Sequence, residues 1–297
     1  MIKDIINNIS NILTSLLNKS TIMLKPNFLI PGAGLSGTTT LYDYLKQHPE
    51  IFLSDPKEPN FFSNYYELGE KWYLQNFKST NPYSAVGEAS TQYFVSKFAP
   101  KRIHAFNPKF KFIFILRNPI ERAFSSYKYD IQFLGESRTF EEIITKNAKY
   151  ITDGMYYTHI SRFLKYFSKK MMFFIIFEKF VKDEFKYLKK LCEFLNVDPK
   201  FQFDSDFIDK NPSRMPISTG LQKINNRFFN SHPSENIFLR ALKFNLRINI
   251  NRINHMHNRR DFPKMKEITR RYLINYYKNE TLNLEDLINK DLSNWLN

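Results

Sequence analysis

Short apolar runs along the chain alternate with longer stretches whose apolar residues recur every three or four positions. Phe28-Leu29-Ile30-Pro31-Gly32 predicts a buried strand entering a glycine-rich loop. A helix is then expected from near Thr38 through Leu41, Tyr44 and Leu45, stopping before Pro49. HPEIFLSDPKEPNFFS reads as a short strand followed by a Pro-bracketed turn, and AVGEAS, residues 85–90, as a strand with a polar exit. KFIFIL, residues 111–116, is continuous in the way of a central parallel strand; it runs into Arg117-Asn118-Pro119 and a helix through Ala123, Phe124 and Tyr127. MMFFIIF, residues 171–177, is a further apolar strand, and helices are expected at roughly 139–149, 155–168 and 180–195. Strands alternating with helices predict an α/β fold with a central parallel sheet flanked by helices, a P-loop-like three-layer architecture.

The pattern changes after about residue 200. Asn211-Pro212-Ser213-Arg214-Met215-Pro216 is a loop, and the remainder looks helical, ending in Leu284 to Leu296. No internal repeat or long linker divides the chain, so residues 26–297 are read as one domain with a helical C-terminal part. Residues 1–25 form a separate amphipathic segment, with Ile2, Ile5, Ile6, Ile9, Leu13, Leu16 and Leu17 at helical spacing. A helix docked on the protein's own body is the favoured reading of residues 1–20, with peripheral contact to a membrane surface as the alternative.

Composition narrows the function classes. The 297 residues are 42% hydrophobic and 16% aromatic, with 30 Phe and 17 Tyr, as in a packed globular protein. A net charge of +15, from 44 Lys and Arg against 29 Asp and Glu, favours anionic ligands. The basic residues occur as scattered pairs such as Lys169-Lys170 and Arg270-Arg271, with no long run and no interleaving with aromatics to stack bases. Nucleic acid is therefore not an expected partner. The single cysteine, Cys192, excludes a disulfide within the chain and reads as a small core residue. No apolar run reaches the ~18 residues of a membrane-spanning helix, and Asp4 with its polar neighbours argues against a signal peptide. A cytoplasmic location is expected. His104, His159, His255 and His257 lack the companions of a zinc site, so no metal is expected.

The chemistry starts in IPGAGLSGTTTLYDYL, residues 30–45. Gly32, Gly37 and Thr39 match the P-loop pattern G-x-x-x-x-G-K-[ST], but Thr38 stands where the lysine belongs. Backbone N–H groups and a helix N-terminus hold an anion without that cation. An NTPase also needs a carboxylate for Mg²⁺ at the end of a second apolar strand, and KFIFIL delivers Arg117 instead. Both absences argue against ATP or GTP hydrolysis. They favour a nucleotide with a second phosphate elsewhere, held by Arg117 and by the next helix, where Ser125 lies about two turns on. Taken singly, Glu58 could be an exposed turn carboxylate, Arg117 a partner of Glu121, and Ser125 an ordinary helix residue.

In combination, GLSGTTTLYDYLKQHP, KEPNFF, GEASTQYF and LRNPIERAFSSY resemble, in this order, the superfamily of sulfotransferases that use 3′-phosphoadenosine 5′-phosphosulfate (PAPS). The resemblance extends over roughly residues 26–297 and is strongest to the bacterial and heparan-sulfate-like branch that modifies glycans. It implies that Ser36, Gly37, Thr38 and Thr39 hold the 5′-phosphosulfate, and that Arg117 and Ser125 hold the 3′-phosphate. It implies Glu58 as general base, with Lys57 balancing its charge, and a glycan, glycolipid or other small acceptor without a metal. Loops 64–80 and 200–262 are where acceptor choice would reside. One departure stands out: the family's lysine two residues before the loop glycine is Leu35 here. That leaves two alternatives in view, a degenerate member that binds nucleotide with weak or no transfer, and a P-loop kinase.

Overall fold

In a computed structural model, the described residues are 21–146, 148–206, 242, 243, 246 and 262–297. The amphipathic positions 1–20, the loop at 211–216, the His255–His257 pair and most of the expected acceptor loop 200–262 lie outside them. Five parallel strands form the sheet in the order β3-β5-β2-β6-β7. They are β2 (Phe28–Gly32), β3 (Ile51–Leu53), β5 (Ala85–Ala89), β6 (Lys111–Leu116) and β7 (Met172–Ile176). A small antiparallel pair, β1 (Ile22–Met23) with β4 (Lys78–Ser79), ties the start of the described chain to the body, and Leu24 N–H donates to the Phe77 carbonyl at 2.9 Å.

The strands read as continuous apolar runs because both faces of the sheet are covered. Side chains alternate along β6: Phe112, Phe114 and Leu116 enter one core, Ile113 and Ile115 the other. The first core is aromatic, with Phe114 stacked on Phe174 at 5.5 Å, and is covered by α2 (Ala99–Phe106), α4 (Tyr156–Leu164) and the short helices between β3 and α2. The opposite core is covered by α1 (Thr38–Lys46) and α5 (Glu184–Leu195), and Cys192 is buried there, its thiol pushed up to about 11 by burial. A third cluster joins α3 (Pro119–Tyr129) to α6 (Glu267–Ile288) through Tyr127, Leu273 and Tyr277.

Element ends depart from the expected ranges for local reasons. The stretch expected at 139–149 is two short helices, Phe140–Lys146 and Lys149–Thr152. The stretch expected at 180–195 begins at Glu184 because the Asp183 carboxylate accepts the Lys186 N–H at 3.3 Å and caps it. The C-terminal helix ends at Ile288, where Asn289 turns left-handed, so Leu292 and Trp295 pack back onto the core instead of continuing the helix.

One glycine has a packing reason. A Cβ at Gly87 would lie 2.5–2.6 Å from the Phe28 ring across the β2–β5 pair. Gly87→Ala is expected to lower the unfolding free energy by about 1–3 kcal/mol, the range for overpacked cores, read as an earlier denaturant midpoint.

Candidate functional site

β2 and β6 are neighbours at the centre of the sheet, and the chain departs from them toward opposite edges. Ligands of open α/β sheets bind at such a switch point, beyond the carboxyl ends of the strands. Five loops converge on that end, following β2, β3, β5, β6 and β7.

The loop after β2 turns into α1 at Gly37, whose φ of 93° is left-handed. A Cβ there would also lie 2.9 Å from the Phe177 ring, so glycine is required twice over. Gly37 caps α1 through its carbonyl, which accepts the Leu41 N–H at 3.0 Å, and Thr38 and Thr39 open the helix. Thr38 is buried and Thr39 is exposed. Ser36 is fully buried, and its Oγ has no hydrogen-bonding partner. The Tyr156 phenol lies beside it, giving its own proton to the Arg117 carbonyl at 2.8 Å and leaving its oxygen as an acceptor facing Ser36.

Leu35 stands at the crest of the loop, 38% exposed and with a left-handed φ of 63°. Arg117, leaving the end of β6, lays its guanidinium over the Phe177 ring at 5.1 Å and donates from Nη1 to the Leu35 carbonyl at 3.3 Å. A cation thus reaches the very residue at which the loop lacks a basic side chain. Among the described residues the guanidinium makes no other hydrogen bond, so its remaining N–H donors can serve an anion. Glu121 is paired with Arg270 at 2.5 Å, so the alternative pairing of Arg117 with Glu121 is not realised. α3 begins where Asn118 accepts the Ile120 N–H at 2.9 Å, with Pro119 at the first helical position. Ser125 is half-buried on that helix.

The loop after β3 carries the carboxylate. Glu58 and Asn60 both have left-handed φ, 60° and 52°. The Glu58 side chain is 32% exposed, accepts from Lys57 Nζ at 3.1 Å, and receives the Thr91 hydroxyl at 3.3–3.4 Å. Lys57 is therefore committed to Glu58 in this arrangement and does not stand in for a loop cation.

Residues not singled out from the sequence complete the site. Glu88, on β5, is fully buried and accepts from the hydroxyls of Tyr73 (3.0 Å), Tyr93 (2.7 Å) and Ser90 (2.5 Å). Burial raises its carboxyl to about 7, against those hydrogen bonds, which lower it. A glutamate inside the apolar run AVGEA was the signal available for it. His159 is a core residue: its Nε2 lies 2.9 Å from the Thr152 carbonyl, and burial lowers it to about 4. Among the described residues, no group of three His, Cys, Asp or Glu is placed to hold a metal ion, and no helix is long and apolar enough to cross a membrane.

Comparison with known proteins agrees with this fold. The human heparan sulfate glucosamine 3-O-sulfotransferase 6 is 30% identical over 180 residues, 58% of this chain and 52% of that protein. The mouse bifunctional heparan sulfate N-deacetylase/N-sulfotransferase 4 is 32% identical over 200 residues, 60% of this chain and 23% of that protein. The chain spans about half or less of the length of these curated relatives. A crystal structure of a sulfotransferase from Alicyclobacillus acidocaldarius superposes with a TM-score of 0.69 at 25% identity, covering 92% of this chain and all of that one. The family model of the sulfotransferase domain matches residues 25–233, and the chain belongs to that family.

Proposed function

We propose that the protein transfers a sulfuryl group from PAPS to a hydroxyl or amine of a glycan. The observation that carries the reading is the meeting of Arg117 with the glycine loop at Leu35, at the carboxyl end of the sheet where an NTPase would place its metal-binding carboxylate. The residues present fit such a donor. Ser36 Oγ is a buried hydroxyl without a partner, Gly37 leaves the space a Cβ would fill, and α1 presents its N-terminus.

When bound, PAPS supplies the sulfuryl group and a phosphate that leaves with the electron pair of the broken bond. The N–H groups of residues 36–39 and the hydroxyls of Ser36, Thr38 and Thr39 stabilise charge on that phosphate. Arg117 and Ser125 would hold the 3′-phosphate, the guanidinium supplying charge-assisted hydrogen bonds. Glu58 takes the proton of the acceptor as its oxygen or nitrogen becomes the nucleophile. Lys57 holds Glu58 in place at 3.1 Å and balances its charge. A glycan acceptor is favoured because the human and mouse relatives named above are heparan sulfate sulfotransferases. A lipid-linked glycan and membrane contact through residues 1–20 belong to the same reading as its finer and separate part.

Leu35 favours a second reading, nucleotide binding with weak transfer. The experiment that decides is transfer of labelled sulfate from PAPS to a glucosamine-containing polysaccharide by wild type and Leu35→Lys. Leu35 is exposed, so a lysine fits there. The substitution is expected to raise turnover, by up to about 10²–10³-fold, the worth of one donor at a developing oxyanion. No transfer by either protein, with the bisphosphate product still bound, would replace the transferase by the binding protein.

A further inference from the structure

Glu58 holds a left-handed backbone conformation that costs an ordinary non-glycine residue roughly 1–2 kcal/mol, and Asn60, two residues on, holds one that asparagine tolerates. Something must hold this turn, and the hydrogen bonds lead inward. Asn60 Nδ2 donates to the Glu58 carbonyl at 3.0 Å. The Asn60 backbone N–H donates to Ser90 Oγ at 2.9 Å. Ser90 Oγ–H in turn donates to Glu88 Oε2 at 2.5 Å. The other carboxylate oxygen of Glu88, Oε1, accepts from Tyr73 and Tyr93, both fully buried.

Polarity runs one way through this chain. A hydroxyl has one proton to give. When Glu88 is ionised it can only accept from Ser90, and the Ser90 lone pairs then face the Asn60 N–H. A buried charge persists only when it is paired or hydrogen-bonded, and three hydroxyls meet that need here without a cation. An apolar residue at this position would strip three buried hydroxyls of their acceptor, among them the Ser90 hydroxyl that receives the Asn60 N–H.

We propose that Glu88 is a positioning residue for sulfuryl transfer, setting the Glu58 turn through Ser90 and Asn60. The proposal rests on the assignment of Glu58 as general base. Glu88 itself touches neither donor nor acceptor. Its protonation would place an acid O–H toward Ser90 or a tyrosine and reverse or break one of these bonds.

The groups facing Glu88 are Tyr73 from the helix before β4, Tyr93 from the helix after β5, Ser90 on its own strand end, and Glu58 across the turn, whose charge raises it. Tyr73 and Tyr93 are themselves pushed well above their ordinary value by burial and by the Glu88 charge, so they stay protonated donors. Turnover should therefore rise as pH passes through about 7 and Glu88 ionises. Stability should move the other way. A carboxyl raised by folding contributes stability that is full below its unfolded value near 4.5 and is lost as pH rises through about 7.

The test compares Glu88→Gln, Ser90→Ala and Glu58→Gln with wild type by kcat, KM, bisphosphate affinity and denaturation midpoint from pH 5 to 9. Glu88→Gln and Ser90→Ala are expected to lose at least about tenfold in kcat with bisphosphate affinity unchanged, in proportion to displacement of a general base. The limb of activity near pH 7 should vanish in Glu88→Gln, and its stability should no longer fall across that range. Wild-type kcat and an unchanged pH limb in both Glu88→Gln and Ser90→Ala, beside an inactive Glu58→Gln, would overturn the role of Glu88 alone. Full activity of Glu58→Gln would overturn the assignment on which it rests. Should Glu88→Gln fail to fold, Ser90→Ala, which leaves the carboxylate and both tyrosines, carries the test.

Discussion

Glu58→Gln is expected to lower sulfuryl transfer by about 10²–10⁴-fold while adenosine 3′,5′-bisphosphate binds as it does to wild type. The factor is the usual worth of a positioned general base. Glutamine keeps the shape of the side chain and can still accept the Thr91 hydroxyl, so the turn should survive. It cannot take a proton. The loss should fall on kcat, with KM for PAPS little changed, because the carboxylate sits after β3 and the phosphate loop after β2. Single-turnover assays alongside calorimetry separate the two quantities. Equal losses in binding and turnover would mean that Glu58 shapes the donor site and does no proton transfer.

Arg117→Ala should act at the other end of the reaction, weakening bisphosphate binding by about 10–150-fold. Hydrogen bonds to charged groups contribute about 1.5–3 kcal/mol, and each 1.4 kcal/mol is a factor of ten. The substitution leaves the β6–α3 connection intact, since Tyr156 binds the Arg117 carbonyl and Asn118 caps the helix with its own side chain. The guanidinium lost is the one that spans from the Phe177 ring to the Leu35 carbonyl. Arg117→Lys should recover little, because a single ammonium cannot reproduce a planar fork.

Much of this geometry was visible in the sequence for identifiable reasons. β2, β6 and β7 are unbroken apolar runs because helices cover both sheet faces, and glycines at 32 and 37 announce the turn between β2 and α1. Arg117 could be placed because it follows a central strand directly. Local polar competition hid where helices begin: Asp183 caps α5 a few residues inside an expected helix. Long-range pairing hid the rest. Glu121 finds Arg270 across 149 positions, a partnership that no spacing rule predicts. Glu88 falls in a strand predicted with a polar exit, and its role is hidden because the tyrosines that donate to it come from two different helices. Ser36 was read from the resemblance, but that its hydroxyl lacks an internal partner is a property of packing alone.

The most direct measurement is calorimetric titration of the protein with adenosine 3′,5′-bisphosphate, with and without Mg²⁺, beside ATP. A sulfotransferase donor site predicts tight binding of the bisphosphate that is indifferent to Mg²⁺, with ATP, which lacks a 3′-phosphate, binding far more weakly. Failure of the bisphosphate to bind, together with ATP binding that requires Mg²⁺, would contradict it and assign the glycine loop to a kinase.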